Sequence, residues 1–168
     1  MSKPLIRLHN RLDDTKEFSL LANSQDVSTD MILMMCGKRL GGGLFRSVYE
    51  FNMNVDNYVV KVEPAANDCN MTEYFIWDQV KDLQGNLAWV KDWFAPVMCI
   101  SPNGKVLIME RTEPRHGKKR PEKVPEFLSD ACYDNFGWIG NKFVCHDYGF
   151  IHGLISYSKK FKKVDWEV

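Results

Sequence analysis

Between Lys38 and Glu63 the chain reads as strand, turn, strand, loop, strand, and this run constrains the fold more than any other segment. Successive side chains of a strand point to opposite faces. Over residues 46–53, Ser47, Tyr49, Phe51 and Met53 therefore share one face, and Arg46, Val48, Glu50 and Asn52 the other. Over residues 58–63, Lys61 shares a face with Val59, opposite Tyr58, Val60 and Val62. A lysine set among valines on a buried strand is costly without a counter-charge, so the pattern predicts an acidic partner. Glu73, ten residues beyond the strand's end at Glu63, is the candidate.

Around this run the elements follow from periodicity and turn chemistry. Residues 71–83 read as an amphipathic helix with Tyr74, Trp77, Val80 and Lys81 near one stripe and Asn67 or Asn70 as its cap. Strands are expected around 88–101 and 105–112, joined by the turn Pro102-Asn103-Gly104. Upstream, residues 13–23 form a helical candidate capped by Asp13 or Asp14. A second candidate spans 27–37, apolar at Ile32, Leu33 and Met35, with Gly37 as its C-terminal stop. These upstream helices read as a cover over the sheet, and the basic, proline-rich stretch 113–125 as a linker to a smaller rear part.

That rear part contains a hairpin signal. Gly140-Asn141 suits a two-residue turn that pairs Ile139 with Lys142 and, counting back, Asn135 with His146 and Asp134 with Asp147. Asn135 and Asp147 then finish side by side at the hairpin's open end. An amide oxygen and a carboxylate are suitable hard ligands for Mg2+, which binds few protein groups and keeps water or phosphate in the rest of its shell. The bland alternative is that both merely satisfy nearby backbone groups.

Composition bounds the class. In 168 residues, 45% hydrophobic, 22 basic and 22 acidic side chains cancel, so no overall field recruits nucleic acid or membrane. The basic runs Arg115–Lys123 and Lys159–Lys163 read first as solvated loops, with contact to an acidic partner or nucleic acid as the lesser alternative. Five cysteines, odd in number and without a C-x-x-C pair, argue against a disulfide framework and for a reducing, cytoplasmic setting. The spacing of Cys132, Cys145 and His146 fits no familiar zinc site. No apolar stretch approaches the ~20 residues of a membrane span.

Taken in order, the motifs resemble those of the protein kinase-like fold, and particularly the very small kinase-like proteins of bacteriophages, from about Lys38 to Gly149. Gly41, Gly42 and Gly43 with Val48 resemble the kinase glycine loop, Arg46 standing in place of its third glycine. Val59-x-Lys61 is similar to the strand lysine motif, Glu73 to the glutamate that pairs with it, and Met109-Glu110-Arg111-Thr112 to the hinge that holds adenine. Asp130 resembles the catalytic-loop aspartate, Asn135 the metal-binding asparagine, and Asp147-Tyr148-Gly149 the D-F-G motif.

The resemblance implies an α+β fold: a kinase-like N-lobe of twisted antiparallel sheet plus one main helix, with a strongly reduced C-lobe. It implies one kinase-like domain over 1–168, divided into a helical cover (1–37), sheet and helix (38–112), basic linker (113–127) and reduced rear lobe with its hairpin (128–168). ATP and Mg2+ are the implied cofactors. Lys61, Glu73 and Asp130 would be catalytic, Met109, Glu110 and Thr112 would meet the base, and Asn135 and Asp147 would hold metal. Leu128-Ser129 replace the family's His-Arg, and only nineteen residues follow Gly149, without an activation segment or docking helices. Two expectations follow: a minimal ATP-dependent phosphotransferase, or an inactive kinase-like protein that binds and modulates another protein, a host factor if the phage resemblance holds.

Overall fold

A computed structural model describes residues 32, 34–64, 68–114, 117–151 and 158–166. The fold is α+β, centred on an antiparallel five-stranded sheet in the order β1-β2-β3-β5-β4. Its strands are β1 (Cys36–Gly42), β2 (Ser47–Phe51), β3 (Tyr58–Val62), β4 (Val97–Ile100) and β5 (Val106–Glu110), and one helix, α1 (Cys69–Val80), lies against it. Two small two-stranded units follow: β6 (Lys123–Pro125) with β9 (Phe161–Lys163), and the hairpin of β7 (Phe136–Ile139) and β8 (Lys142–Cys145).

The alternation read from the sequence sets the layers. Val59, Leu107 and Met109 face the larger core, which contains Ile76 and Val80 of α1 and runs on into Phe136, Phe143 and Val144 of the hairpin. Phe51, Val60, Val106 and Ile108 face the other way, into a smaller core closed by Met35 and Ile32. A fully buried aliphatic side chain such as Leu107 contributes about 1.5–3 kcal/mol by leaving water, so both layers are needed to hold so thin a sheet.

Several local expectations change in the structure. Gly37 stops no helix: the chain is helical at Ile32, Met34 and Met35 but enters β1 at Cys36, with Gly37 inside the strand. Sheet pairing wins there, because Cys36 lies opposite Phe51 and the Asn52 side chain donates to the Met34 and Cys36 carbonyls. The helices read over 13–23 and most of 27–37, and the Asn67 cap, lie outside the described residues.

The strand expected over 88–101 shrinks to Val97–Ile100. Short 3-10 turns occupy Gly85–Leu87 and Lys91–Trp93, with Gly85 at φ 58°. Val90 is buried from the turn between them, and Phe94 as an extended residue that bridges Cys145 rather than within the five-stranded sheet. The turn at 102–104 forms as expected, with Gly104 at φ 71° and Ser101 Oγ accepting the Val106 N–H.

In α1 the buried stripe is Cys69, Asn70, Glu73, Ile76 and Val80; of the expected Tyr74, Trp77, Val80 and Lys81, Val80 is fully buried, Tyr74 and Trp77 pack at the core's margin and Lys81 is exposed. Polar Asn70 and Glu73 face inward because buried cations and carbonyls await them. Asn70 does not cap the helix; Glu63 does, its two carboxylate oxygens accepting the Cys69 and Asn70 N–H groups at 3.3 and 2.8 Å.

The described residues of the 113–125 stretch pack rather than hang free. Glu113 and Trp138 exchange backbone hydrogen bonds, Val124 is fully buried, and Arg120 stacks on Tyr133 at 3.5 Å. The rear hairpin forms in the expected register, Ile139 opposite Lys142 and Phe136 opposite Cys145. The His146 and Asp147 N–H groups both donate to the Asn135 carbonyl. Among the described residues no helix is long and apolar enough to cross a membrane, and all five cysteines are free thiols.

Candidate functional site

Register builds the site's front wall. Val48 lies opposite Lys61, and Val59 opposite Met109, so these four side chains sit together on the inner face of β2, β3 and β5. The β1–β2 turn reaches over them, closed by the Gly43 N–H donating to the Arg46 carbonyl at 3.0 Å. None of the three glycines takes a positive φ. A Cβ at Gly41 or Gly43 would meet nothing within 4 Å, whereas one at Gly42 would run into Arg39 and the Arg46 carbonyl.

The rear wall comes from the hairpin and the segments flanking it. Between the walls lies a cleft of about 810 Å³, within the size range of ordinary ligand sites. Gly41, Gly42, Gly43, Val48, Val59, Lys61, Met109, Glu110, Thr112, Asn135 and Asp147 all line it. Two expected residues do not. Glu73 lies behind Lys61 in the protein interior, and Asp130 sits in a shallow notch beside Asp147, Cys145 and Tyr148.

Charge is concentrated at the inner end. Lys61 Nζ donates to both Glu73 oxygens at 2.9 Å and to the His146 carbonyl, which engages its three protons. Arg46, buried and on the same wall, donates to Glu73, Asp147 and, at 3.3 Å, Asn70. Glu73 also accepts the Tyr148 N–H at 3.1 Å. Two cations and two carboxylates thus balance within one network.

Burial, opposed chiefly by Glu73, leaves the Lys61 ammonium below its ordinary pKa. For Arg46 burial works against the charge, but Glu73 and Asp147 outweigh it and hold the guanidinium above its ordinary value. Burial would raise the Asp147 carboxyl, yet Lys61 and Arg46 beside it prevail and keep it below the usual carboxylate range.

At the end of β5, the Glu110 and Arg111 N–H groups donate to the Pro96 and Asn57 carbonyls. Thr112 Oγ1 lies 2.7 Å from His146 Nδ1, and His146 Nε2 lies 2.9 Å from the Asp134 carbonyl. A carbonyl can only accept, so Nε2 carries the proton and Nδ1 accepts from the hydroxyl. Burial and the Lys61 charge lower His146 to about 4. Gly137 permits this crossing of strands, since a Cβ there would lie 2.6 Å from the Thr112 side chain.

Asn135 donates its amide to Asp130 Oδ2 at 2.9 Å, and the Cys132 thiol donates to Asp130 Oδ1 at 2.9 Å. These contacts fix the Asp130 side chain, and Leu128, two residues before it, is buried. Among the described residues no group of three or more His, Cys, Asp or Glu side chains is arranged to hold a metal ion.

Sequence reasoning missed Arg46 and Asn70 as members of this network. The signals were present: Arg46 shares the inner face with Val48, and Asn70-x-x-Glu73-x-x-Ile76-x-x-x-Val80 follows one side of a helix. No protein-family model, curated protein or solved structure matches the chain.

Proposed function

We propose that the chain is a minimal kinase-like protein that binds a nucleoside triphosphate, ATP, in this cleft, between an N-lobe-like sheet and a much reduced rear lobe. One observation carries the reading: a single cleft of about 810 Å³ is lined by the glycine turn, Lys61, the 109–112 strand end, Asn135 and Asp147 together. Val48, Val59 and Met109 on one side and Phe136 on the other offer apolar surface to a flat base. The glycine turn leaves room for phosphates, since Gly41 and Gly43 place no side chain in the cleft.

Lys61, held by Glu73, and Arg46 supply positive charge at the phosphate end. A Mg2+ ion would fall to Asn135 and Asp147 and would supply charge neutralisation of the phosphates. As they stand, one Asp147 oxygen is held by Arg46, so an ion there would sit beside a guanidinium and the pair fits the ion poorly. In a phosphotransferase, Asp130 would accept the proton of an acceptor hydroxyl presented at its notch.

A second reading keeps the fold and drops the chemistry: an inactive kinase-like protein that binds and modulates another protein. It is favoured by the closed Arg46–Glu73–Lys61–Asp147 network, whose charges already satisfy one another.

Thermal melts and calorimetry with Mg-ATP separate the two. Saturation at a hundredfold excess over Kd adds about 2.7 kcal/mol to stability, or about 5–10 °C in Tm for a chain of this size. That shift is expected. No shift and no heat of binding at millimolar Mg-ATP would overturn the nucleotide reading in favour of the interaction protein.

A further inference from the structure

Resting on the nucleotide reading of the cleft, we infer that Arg46 is the cation that receives the triphosphate, so that polyphosphate binding here does not depend on a divalent metal ion. Arg46 follows the glycine turn directly and lines the same cleft as Lys61 and Asp147. It is buried, and partners on α1 and after β8 fix it: Asn70, Glu73 and Asp147.

Donor capacity distinguishes the two cations. The three Lys61 protons are engaged by Glu73 and the His146 carbonyl, so Lys61 can offer a phosphate a proton only by giving up one of these hydrogen bonds. A guanidinium has five N–H donors, and the hydrogen bonds of Arg46 to described residues use three: two from Nη2 and one from Nη1. Its planar fork also suits phosphate oxygens better than a point charge does.

The same contact works against a metal. Asp147 Oδ1 accepts from Arg46, and a divalent ion on this carboxylate would stand within a few ångströms of a fixed guanidinium in a partly desolvated site, where like charges repel strongly. The Asn135 amide nitrogen donates to Asp130, which leaves a divalent ion only its neutral carbonyl oxygen, without a charge to offset the guanidinium. Arg46 therefore occupies, as a permanent side chain, the charge-neutralising role that a kinase-like site otherwise assigns to its metal.

The experiment is calorimetric titration of the full chain with ATP, once with Mg2+ and once with EDTA. The two Kd values are expected to agree within about threefold. In EDTA, Arg46→Lys, which keeps the charge but loses the fork, should bind ATP about tenfold or more weakly, the scale of one charge-assisted hydrogen bond. Circular dichroism and a melt establish that the variant is folded; should it not fold, the wild-type comparison alone decides. ATP binding that weakens more than about threefold in EDTA would overturn the inference and leave the nucleotide reading standing. Equal binding by folded Arg46→Lys would also overturn it. Absence of binding in both buffers would overturn the nucleotide reading and the inference together.

Discussion

Glu73 is fully buried and accepts hydrogen bonds from Lys61, Arg46 and the Tyr148 N–H, joining β3, the β1–β2 turn and the segment after β8 through one carboxylate. Its removal leaves two buried cations with only Asp147 between them. Breaking a buried pair from one side costs about 3–5 kcal/mol, because the remaining charge stays desolvated. Glu73→Ala is therefore expected to lower stability by about that amount, read from the denaturant midpoint at unchanged m-value. A change below about 1 kcal/mol would mean that water reaches Lys61 and Arg46 and that the network is not closed. The Lys61–Glu73 pair was legible in the sequence because a lysine among valines demands an acid. For Arg46 only the strand face was legible, because a side chain's reach past its own strand depends on where α1 and β8 finally lie.

At the scale of elements, the glycines separate backbone need from space. Gly140 turns the β7–β8 hairpin at φ 54°, a conformation that costs an L-residue about 1–2 kcal/mol. Gly140→Ala should lose about that much stability in chemical denaturation. Gly41→Ala should leave stability within about 0.5 kcal/mol, since Gly41 has an ordinary φ and open surroundings. The same variant puts a methyl group beside the cleft and should alter ATP affinity. Equal destabilisation by both would contradict the assigned backbone roles. The hairpin register could be read from Gly140-Asn141 and counting, since turn length fixes pairing. The true extent of β4 and the inward side of α1 could not: Trp89 and Val90 have strand-like composition, and only the core they enter makes them turns.

For the whole molecule, His146 ties the strand end at Thr112 to the loop at Asp134, bridging the two walls of the cleft. It is neutral in the fold, held near 4 by burial and Lys61, against an ordinary value of about 6.5 in an unfolded chain. The unfolded state thus binds more protons between those values. The His146 contribution to stability is fully present above about pH 6.5 and is lost as pH falls toward 4. Asp147, also held below its ordinary value, adds a loss of the same sign at still lower pH. Denaturant midpoints measured from pH 7.5 to 4 should fall across this window, and His146→Gln should flatten the fall. A profile identical in the variant would show that His146 is not the group responsible.

The sequence by itself determined what local rules govern: which strand faces are apolar, the turns at Gly104 and Gly140, the hairpin register, and the need of Lys61 for an acid. Each depends on periodicity or on the conformational range of one residue. Tertiary structure alone decided that Glu63 rather than an asparagine caps α1, that Asn70 turns inward beside Glu73, and that Glu113 and Arg120 pack on the rear part. It also decided that Arg46 closes on Asp147, 101 residues away along the chain. Such contacts are chosen by long-range packing and by the cost of leaving any buried charge unpaired, and neither is written in a local pattern.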